Sequence, residues 1–361
     1  MTTTDRTELA GDYRRYVGRR RTVLGATSVL LVAIALASIA LGPTEVPIDR
    51  AVGVLLQGPG GETAASTIVW QIRLPRVLAA ILIGAGLALA GAVMQSVLNN
   101  PLGSPYTLGI SHAAMFGAAL SIVALDAGRI TVGGGLGITF ANPYLVTIAA
   151  FLASLSSAGV ILALAKYRGA SPETMILTGI ALGSLFTAGT TAMQYFASQN
   201  DLASIVFWSF GDVGRATWTN VAIVTAALVP STAYFLRHSW KYNALDAGDE
   251  TARGVGIDVD AVRNRGMLVA SFVTALSVSF VGIIGFVGLV VPHVVRKLIG
   301  NNKEFLLPAS ALTGALLLLV SDTAGRTIMA PEVLPVGIVT SFVGAPFFVY
   351  LVIRGREYWR Q

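Results

Sequence analysis

The chain has 361 residues, of which 54% are hydrophobic and only 12% are charged, and it contains no Cys. Soluble domains usually have about 25% charged residues, so this composition excludes a soluble globular protein and indicates that most of the chain lies in lipid. The lack of Cys excludes disulfides and thiolate metal sites, and the net charge of +6 reflects basic residues at the ends of apolar segments rather than a nucleic-acid surface.

The first apolar segment follows a basic N-terminus and runs from Val23 to Leu41. A cleaved signal peptide is the alternative, because Ala35-Leu36-Ala37 is similar to a cleavage site. The run is longer than the roughly 7–15 residues of a signal-peptide core and matches the ~20 residues that span a bilayer. We therefore predict an uncleaved first span after a cytoplasmic segment at residues 1–21.

The remaining chain predicts nine further spans, which gives ten with both termini on one side. The predicted spans are residues 22–41, 75–98, 104–125, 143–166, 174–196, 217–237, 266–285, 286–299, 307–324 and 336–353. With the N-terminus inside, 19 of the 25 Lys and Arg residues fall on the inner side, which is a strong positive-inside signature. We expect an all-α, multi-pass protein of the cell membrane with a transmembrane domain at 22–355, a cytoplasmic segment at 238–264 and a tail at 356–361.

The sequence Asn99-Asn100-Pro101-Leu102 interrupts the apolar pattern at the inner end of the second span. A tight turn between helices explains it, because Asn caps helices and Pro cannot continue one. So short a loop, close to Gly91 and Gln95, can also approach a central pathway.

Charged residues interleave with apolar ones in the inner segment LDAGDETARGVGIDVDAVRN. A solvated loop is one interpretation. A short helix over Thr251 to Val255, bounded by glycines and held by a soluble partner, is the other.

Arginines mark the outer end of two spans. Arg73 and Arg76 lie three residues apart, and Asp322 and Arg326 lie four apart, so members of each pair face the same way on a helix. The arginines are typical of interfacial anchors, or of a docking site for an acidic partner, and Asp322 can pair with Arg326.

Several motifs occur in one order along the chain: RLPR, LAGAVMQSVLNNPLGSPYTLGIS, AGDETARGVG, GFVGLVVPH and PEVLPVGIVTSFVGAPFF. This pattern resembles the FecCD family of ABC-transporter permeases, the BtuC-like type II importers of cobalamin, iron-siderophores and haem. The resemblance covers roughly residues 22–355. It implies a homodimer of ten-span subunits, two cytoplasmic ATPase subunits that use ATP and Mg, and an extracytoplasmic substrate-binding protein.

The resemblance also implies roles for individual residues. Asn100 and Leu102 match the inner gate, and a second gate element would lie at Ser171, Pro172 and Glu173, where Gly169-Ala170-Ser171-Pro172-Glu173 departs from the family's small hydroxyl residues. The residues that match the ATPase-coupling segment are Gly248, Asp249, Ala252, Arg253, Gly254 and Gly256. Arg73, Arg76 and Arg326 match arginines that pair with the binding protein.

The sequence therefore predicts a permease subunit rather than an enzyme. It has no GxxxxGK[ST] nucleotide-binding signature, and we expect no catalytic residue, no metal site and no cofactor on this chain. The ligand would be a metal already held by a chelator, and which chelate is left open. An ion-coupled secondary transporter is the alternative, but such proteins usually carry ionisable residues in mid-span, and the spans here carry essentially none.

Overall fold

The computed structural model describes residues 3–42, 44, 46–61, 63–125, 127, 130–132, 138–140, 143–168 and 171–354. This part of the chain is almost entirely helical. The helices are α1 (Thr3–Ala40), α2 (Ile48–Gln57), α3 (Ala64–Thr67), α4 (Leu74–Val97), α5 (Ile110–Ala124), α6 (Pro143–Arg168), α7 (Pro172–Phe196), α8 (Gln199–Ser209), α9 (Trp218–Arg237), α10 (Ser239–Asp246), α11 (Asp249–Gly254), α12 (Val259–Val281), α13 (Val287–Ile299), α14 (Lys303–Thr327) and α15 (Val336–Arg354).

Three short elements complete the described chain. A π-helical turn, Ile68–Arg73, joins α3 to α4, and a 3-10 turn, Val213–Arg215, precedes α9. The strands β1 (Ile130–Val132) and β2 (Ile138–Phe140) pair in an antiparallel hairpin.

Each of the ten predicted spans contains one helix of the described structure, which confirms the all-α membrane architecture. Seven helical stretches are long and apolar enough to cross a bilayer, while α5, α13 and α15 are shorter. The third span begins as a helix only at Ile110, because the preceding residues form turns that end at Gly109 with φ 74°. Large apolar side chains such as Leu177 and Phe342 are 67% and 78% exposed, as expected for a surface in lipid.

The sequence did not predict α2, α8 and α10, which are too short or too polar to give a span signal. In α8, the Ser198 hydroxyl accepts a hydrogen bond from the Asp201 N–H at 3.2 Å, and Ile205 and Trp208 are buried. A capped helix with two buried apolar side chains therefore occupies the segment predicted as an outer loop.

The centre of the fold is α4, whose residues are almost all buried between α12, α13 and α14. Glycines let the backbones touch. A Cβ on Gly84 would lie 2.3 Å from the Gly314 carbonyl oxygen, and one on Gly91 would lie 1.8 Å from that of Gly288. Helices in lipid have no hydrophobic driving force for association, so close van der Waals packing at these small residues stabilises the crossings.

Candidate gate and coupling site

Asn100 accepts two hydrogen bonds that shape the turn after α4. Its Oδ1 accepts from the Leu102 N–H at 2.8 Å, and its carbonyl accepts from the Gly103 N–H at 3.0 Å. Asn99 adopts a left-handed φ of 42°, a conformation that Asn tolerates. The turn leaves the Leu102 side chain 42% exposed while Leu98 before it is buried. The predicted gate residues thus form a braced loop that presents one apolar side chain.

The chain beyond this turn is fixed against α7. Ser104 and Thr107 exchange hydrogen bonds of 3.0 to 3.2 Å, which hold the loop in place. At Gly109 a Cβ would lie 2.7 Å from the Gly179 carbonyl oxygen, so only Gly allows this approach. Tyr106 remains 49% exposed between these contacts.

The second predicted gate element is the start of α7. The Ser171 Oγ accepts from the Thr174 N–H at 3.2 Å, and Pro172 is the first helical residue. Glu173 is exposed in the first turn. Gly169 and Ala170 lie outside the described residues. This geometry is that of a capped helix, and the gating role of Ser171, Pro172 and Glu173 stays a prediction.

The predicted coupling segment has one buried anchor and one exposed face. It forms α11, which begins two residues before the predicted helix and ends one residue before its predicted end. Ala252 is fully buried there. Arg253 is exposed, with Asp260 3.8 Å away, and Val255 is 64% exposed. Gly248, Gly254 and Gly256 have open space around them, and Gly248 and Gly256 have φ of 102° and 83°. A short helix thus lies between two Gly turns, with Arg253 and Val255 exposed to solvent.

Arg263 connects this segment to α4, a role that the sequence did not indicate. Its Nη2 donates to Asp249 Oδ1 at 2.8 Å and Oδ2 at 3.0 Å, and its Nε donates to the Val97 carbonyl oxygen at 2.7 Å. The side chain is 2% exposed. From the sequence, Arg263 was one more inner basic residue. A cation on the same helix face as Val259, Gly266 and Met267 was the available signal.

A second polar network also contacts α4. Lys303 Nζ lies 2.6 Å from Asp246 Oδ2 and donates to Asn301 Oδ1 at 2.8 Å. Arg296 donates to Asn301 at 2.9 Å and to Gln95 Oε1 at 2.8 Å. The network joins α10, α13 and α14 to the last turn of α4.

Arg73 and Arg326 lie inside the protein, where they hold the end of α1. Arg73 donates to the Ile39 carbonyl at 2.7 Å and to those of Ala40 and Thr44. Arg326 donates to the carbonyls of Leu41 at 2.9 Å and Ser38 at 2.7 Å. They are 4% and 2% exposed, and cations at a helix C-terminus are favourable.

Arg76 and Arg326 share one buried carboxylate, that of Asp322. The Nε and Nη2 of Arg76 donate to the fully buried Asp322 at 2.8 to 3.1 Å, and Arg326 lies 3.4 Å from the same carboxylate, as the i, i+4 spacing predicted. Arg73, Arg76 and Arg326 would have to leave internal partners to meet another protein. This geometry argues against the predicted docking role.

The comparisons with known proteins agree on one family. A model of the FecCD transport family matches residues 30–354, which include the predicted gate turn (Asn99–Leu102), the predicted coupling segment and Arg73, Arg76 and Arg326. The chain belongs to the FecCD transport family. A Methanocaldococcus jannaschii protein named as an ABC transporter permease is 50% identical over 345 residues, which cover 95% of this chain and 97% of that protein.

Two further proteins similar to this FecCD permease are named for what they transport. The hemin transport system permease HmuU of Yersinia pestis is 34% identical, with 93% of this chain and 97% of HmuU covered. A solved inward-facing structure of a metal-chelate type ABC transporter has a TM-score of 0.77 and 28% identity, with 92% of this chain and 99% of that chain covered. The predicted family and BtuC-like fold are therefore confirmed.

The FecCD permease has a largely apolar cavity of about 670 Å³, lined in part by residues 104–107, which follow the predicted gate turn. Its lining includes Leu87, Tyr106, Phe286 and Phe342, with hydroxyls of Ser111 and Ser341. Phe286 has a φ of 66°, which is rare for an aromatic residue. Among the residues that the structure describes, no three His, Asp or Glu side chains are close enough together to hold a metal ion.

Proposed function

We propose that this permease forms the membrane pathway of an ABC importer for an intact metal chelate, with two copies enclosing the pathway. The observation that carries this proposal is the cavity lined in part by residues 104–107, which follow the Asn99–Leu102 turn. Its walls are apolar with a few hydroxyls, which suits a large organic ligand better than a bare ion. Haem, cobalamin and iron(III)-siderophores are the chelates that fit this description.

The proposed partners divide between the two sides of the membrane. Two ATPase subunits would bind the exposed face of α11. In this helix Asp249 precedes the buried Ala252, and Arg253 follows it. A binding protein would deliver the chelate from outside. Since the outer arginines have internal partners, other outer residues would form its docking surface. Both termini would be cytoplasmic.

An ion-coupled secondary transporter is less well supported. Asp322 is a fully buried carboxylate within α14, which such a mechanism could use. However, Arg76 and Arg326 both pair with it, so it is an internal ion-pair partner rather than a lone mid-span carboxylate.

The test is uptake into liposomes that contain the permease together with its ATPase and binding protein. We expect haem, cobalamin or an iron(III)-siderophore to accumulate only when ATP is on the ATPase side. Replacing Asp249 and Arg253 with Ala should abolish chelate-stimulated ATP hydrolysis, because α11 then loses its charged contacts.

An ATPase subunit with its phosphate-binding Lys replaced is the negative control, and it must give no accumulation. Uptake driven by a proton or sodium gradient in the absence of ATP would overturn the proposal.

A further inference from the structure

Arg263 spans the distance between the coupling segment and the gate helix with a single side chain. Its Nη2 donates to both oxygens of Asp249, the first residue of α11, and its Nε donates to the carbonyl of Val97, the last residue of α4. Arg263 and Val97 are 166 residues apart in sequence. The contact is therefore a property of the tertiary fold.

The Val97 carbonyl is the point at which α4 becomes the gate turn. The N–H groups of the next three residues donate to carbonyls of Met94, Gln95 and Ser96 at 3.0 to 3.1 Å. Arg263 bonds the carbonyl that follows these in sequence, one of the last four that a helix leaves unpaired. A cation there also favours the helix end electrostatically.

The two ends of the Arg263 contact differ in their access to a partner. Asp249 is 33% exposed on the inner side, between the Gly248 and Gly256 turns, whereas Arg263 and Val97 are buried. One turn after Arg263, Gly266 lets α12 approach closely, because a Cβ there would lie 2.9 Å from Val97 Cγ1. A displacement of α11 would therefore reach the helix end through the guanidinium.

We propose that Arg263 is a positioning residue that transmits movement of α11 to the Asn99–Leu102 turn. The inference rests on the proposed function, since a partner ATPase supplies the movement. When Asp249 shifts, the planar fork of Arg263 shifts with it and changes its hold on the Val97 carbonyl. Lys keeps the charge but lacks the fork geometry that serves both contacts at once, so it should transmit less.

The test follows the gate turn directly and needs no transported ligand. The chain has no Cys, so a single Leu102→Cys substitution gives it one thiol at the turn. The permease is purified with its ATPase subunits, and the rate of thiol modification is measured without nucleotide and after trapping with ATP and vanadate. The variants compared in this background are Arg263→Gln, Arg263→Lys, Asp249→Asn and, as the matched control, Arg265→Gln, an exposed arginine two residues along the same helix.

We expect trapping to change the modification rate in the Leu102→Cys parent and in Arg265→Gln. In Arg263→Gln and Asp249→Asn the change should fall at least fivefold, and Arg263→Lys should be intermediate. The Arg263→Gln complex should still hydrolyse ATP, because Arg263 is buried behind α11. A merely structural role would lower the yield and melting temperature of the complex without separating hydrolysis from the thiol response.

An unchanged thiol response in Arg263→Gln overturns the inference. If that variant fails to assemble, Asp249→Asn decides, because it breaks the contact from the exposed end, and a normal response there overturns it as well. A parent complex with no nucleotide response, or one that binds no ATPase, contradicts the proposed function itself. The two failures are therefore distinguishable.

Discussion

Asn100 determines the shape of the gate turn through one side-chain hydrogen bond, the 2.8 Å contact from the Leu102 N–H. Replacing Asn100 with Ala removes the acceptor, and a lost hydrogen bond of this kind costs about 1 kcal/mol, or roughly a fivefold change in the open fraction. We expect liposomes with Asn100→Ala to leak a small solute faster without ATP. Asn100→Asp keeps the acceptor and is the control; equal leak rates in Ala, Asp and the parent would contradict the gate assignment.

Arg76 is a structural residue on the evidence of its contacts with the buried Asp322. Removing Arg76 takes away its hydrogen bonds to this buried carboxylate and leaves Arg326, 3.4 Å away, as the remaining cation. The lost hydrogen bonds to a charged group cost about 2 kcal/mol. We expect Arg76→Ala to lower the melting temperature of the detergent-solubilised permease, and Arg76→Gln with Asp322→Asn to recover part of the loss. Arg50→Ala, at an exposed site on α2, should melt like the parent. Normal melting of Arg76→Ala combined with weaker binding-protein affinity would restore the docking interpretation.

At the scale of elements, the crossing of α4 and α13 depends on Gly91. A Cβ at this position would overlap the Gly288 carbonyl oxygen at 1.8 Å, and backbone atoms cannot move aside as a side chain can. Gly91→Ala should therefore sharply reduce the folded yield. Gly25→Ala is the matched control, since α1 has nothing within 4 Å of a Cβ there and Ala favours helix. Similar yields by size-exclusion chromatography for both variants would refute the close crossing.

The long helices were predictable because each needs an apolar run of a length fixed by the bilayer. The placement of Arg73 and Arg263 was not, because both bind backbone carbonyls of other helices, and a carbonyl carries no sequence signal. The sequence predicted a short helix in the coupling segment, but α11 begins two residues before the predicted start. Its start depends on the positive φ of Gly248, which the sequence permits but does not require.

At the scale of the whole molecule, the distribution of basic residues predicts the orientation. Single Cys residues at Val255 and Ile328, 64% and 74% exposed, report the two sides in an otherwise Cys-free chain. An impermeant maleimide should label Val255→Cys only in inverted vesicles and Ile328→Cys only in right-side-out vesicles, because the positive-inside rule places α11 in the cytoplasm. Labelling of both from the same side would invalidate the ten-span topology.

The capping of α1 by Arg73 and Arg326 has a consequence for how the protein is made. The ribosome produces α1 first, yet one of its two capping cations follows Leu41 by 285 residues. During synthesis the end of α1 must wait, without that donor, until α14 has entered the membrane. A chain that stops before α14 therefore keeps only the Arg73 contacts at this end of α1. Synthesis of α14, rather than insertion of the first span, is what completes the capping of this helix.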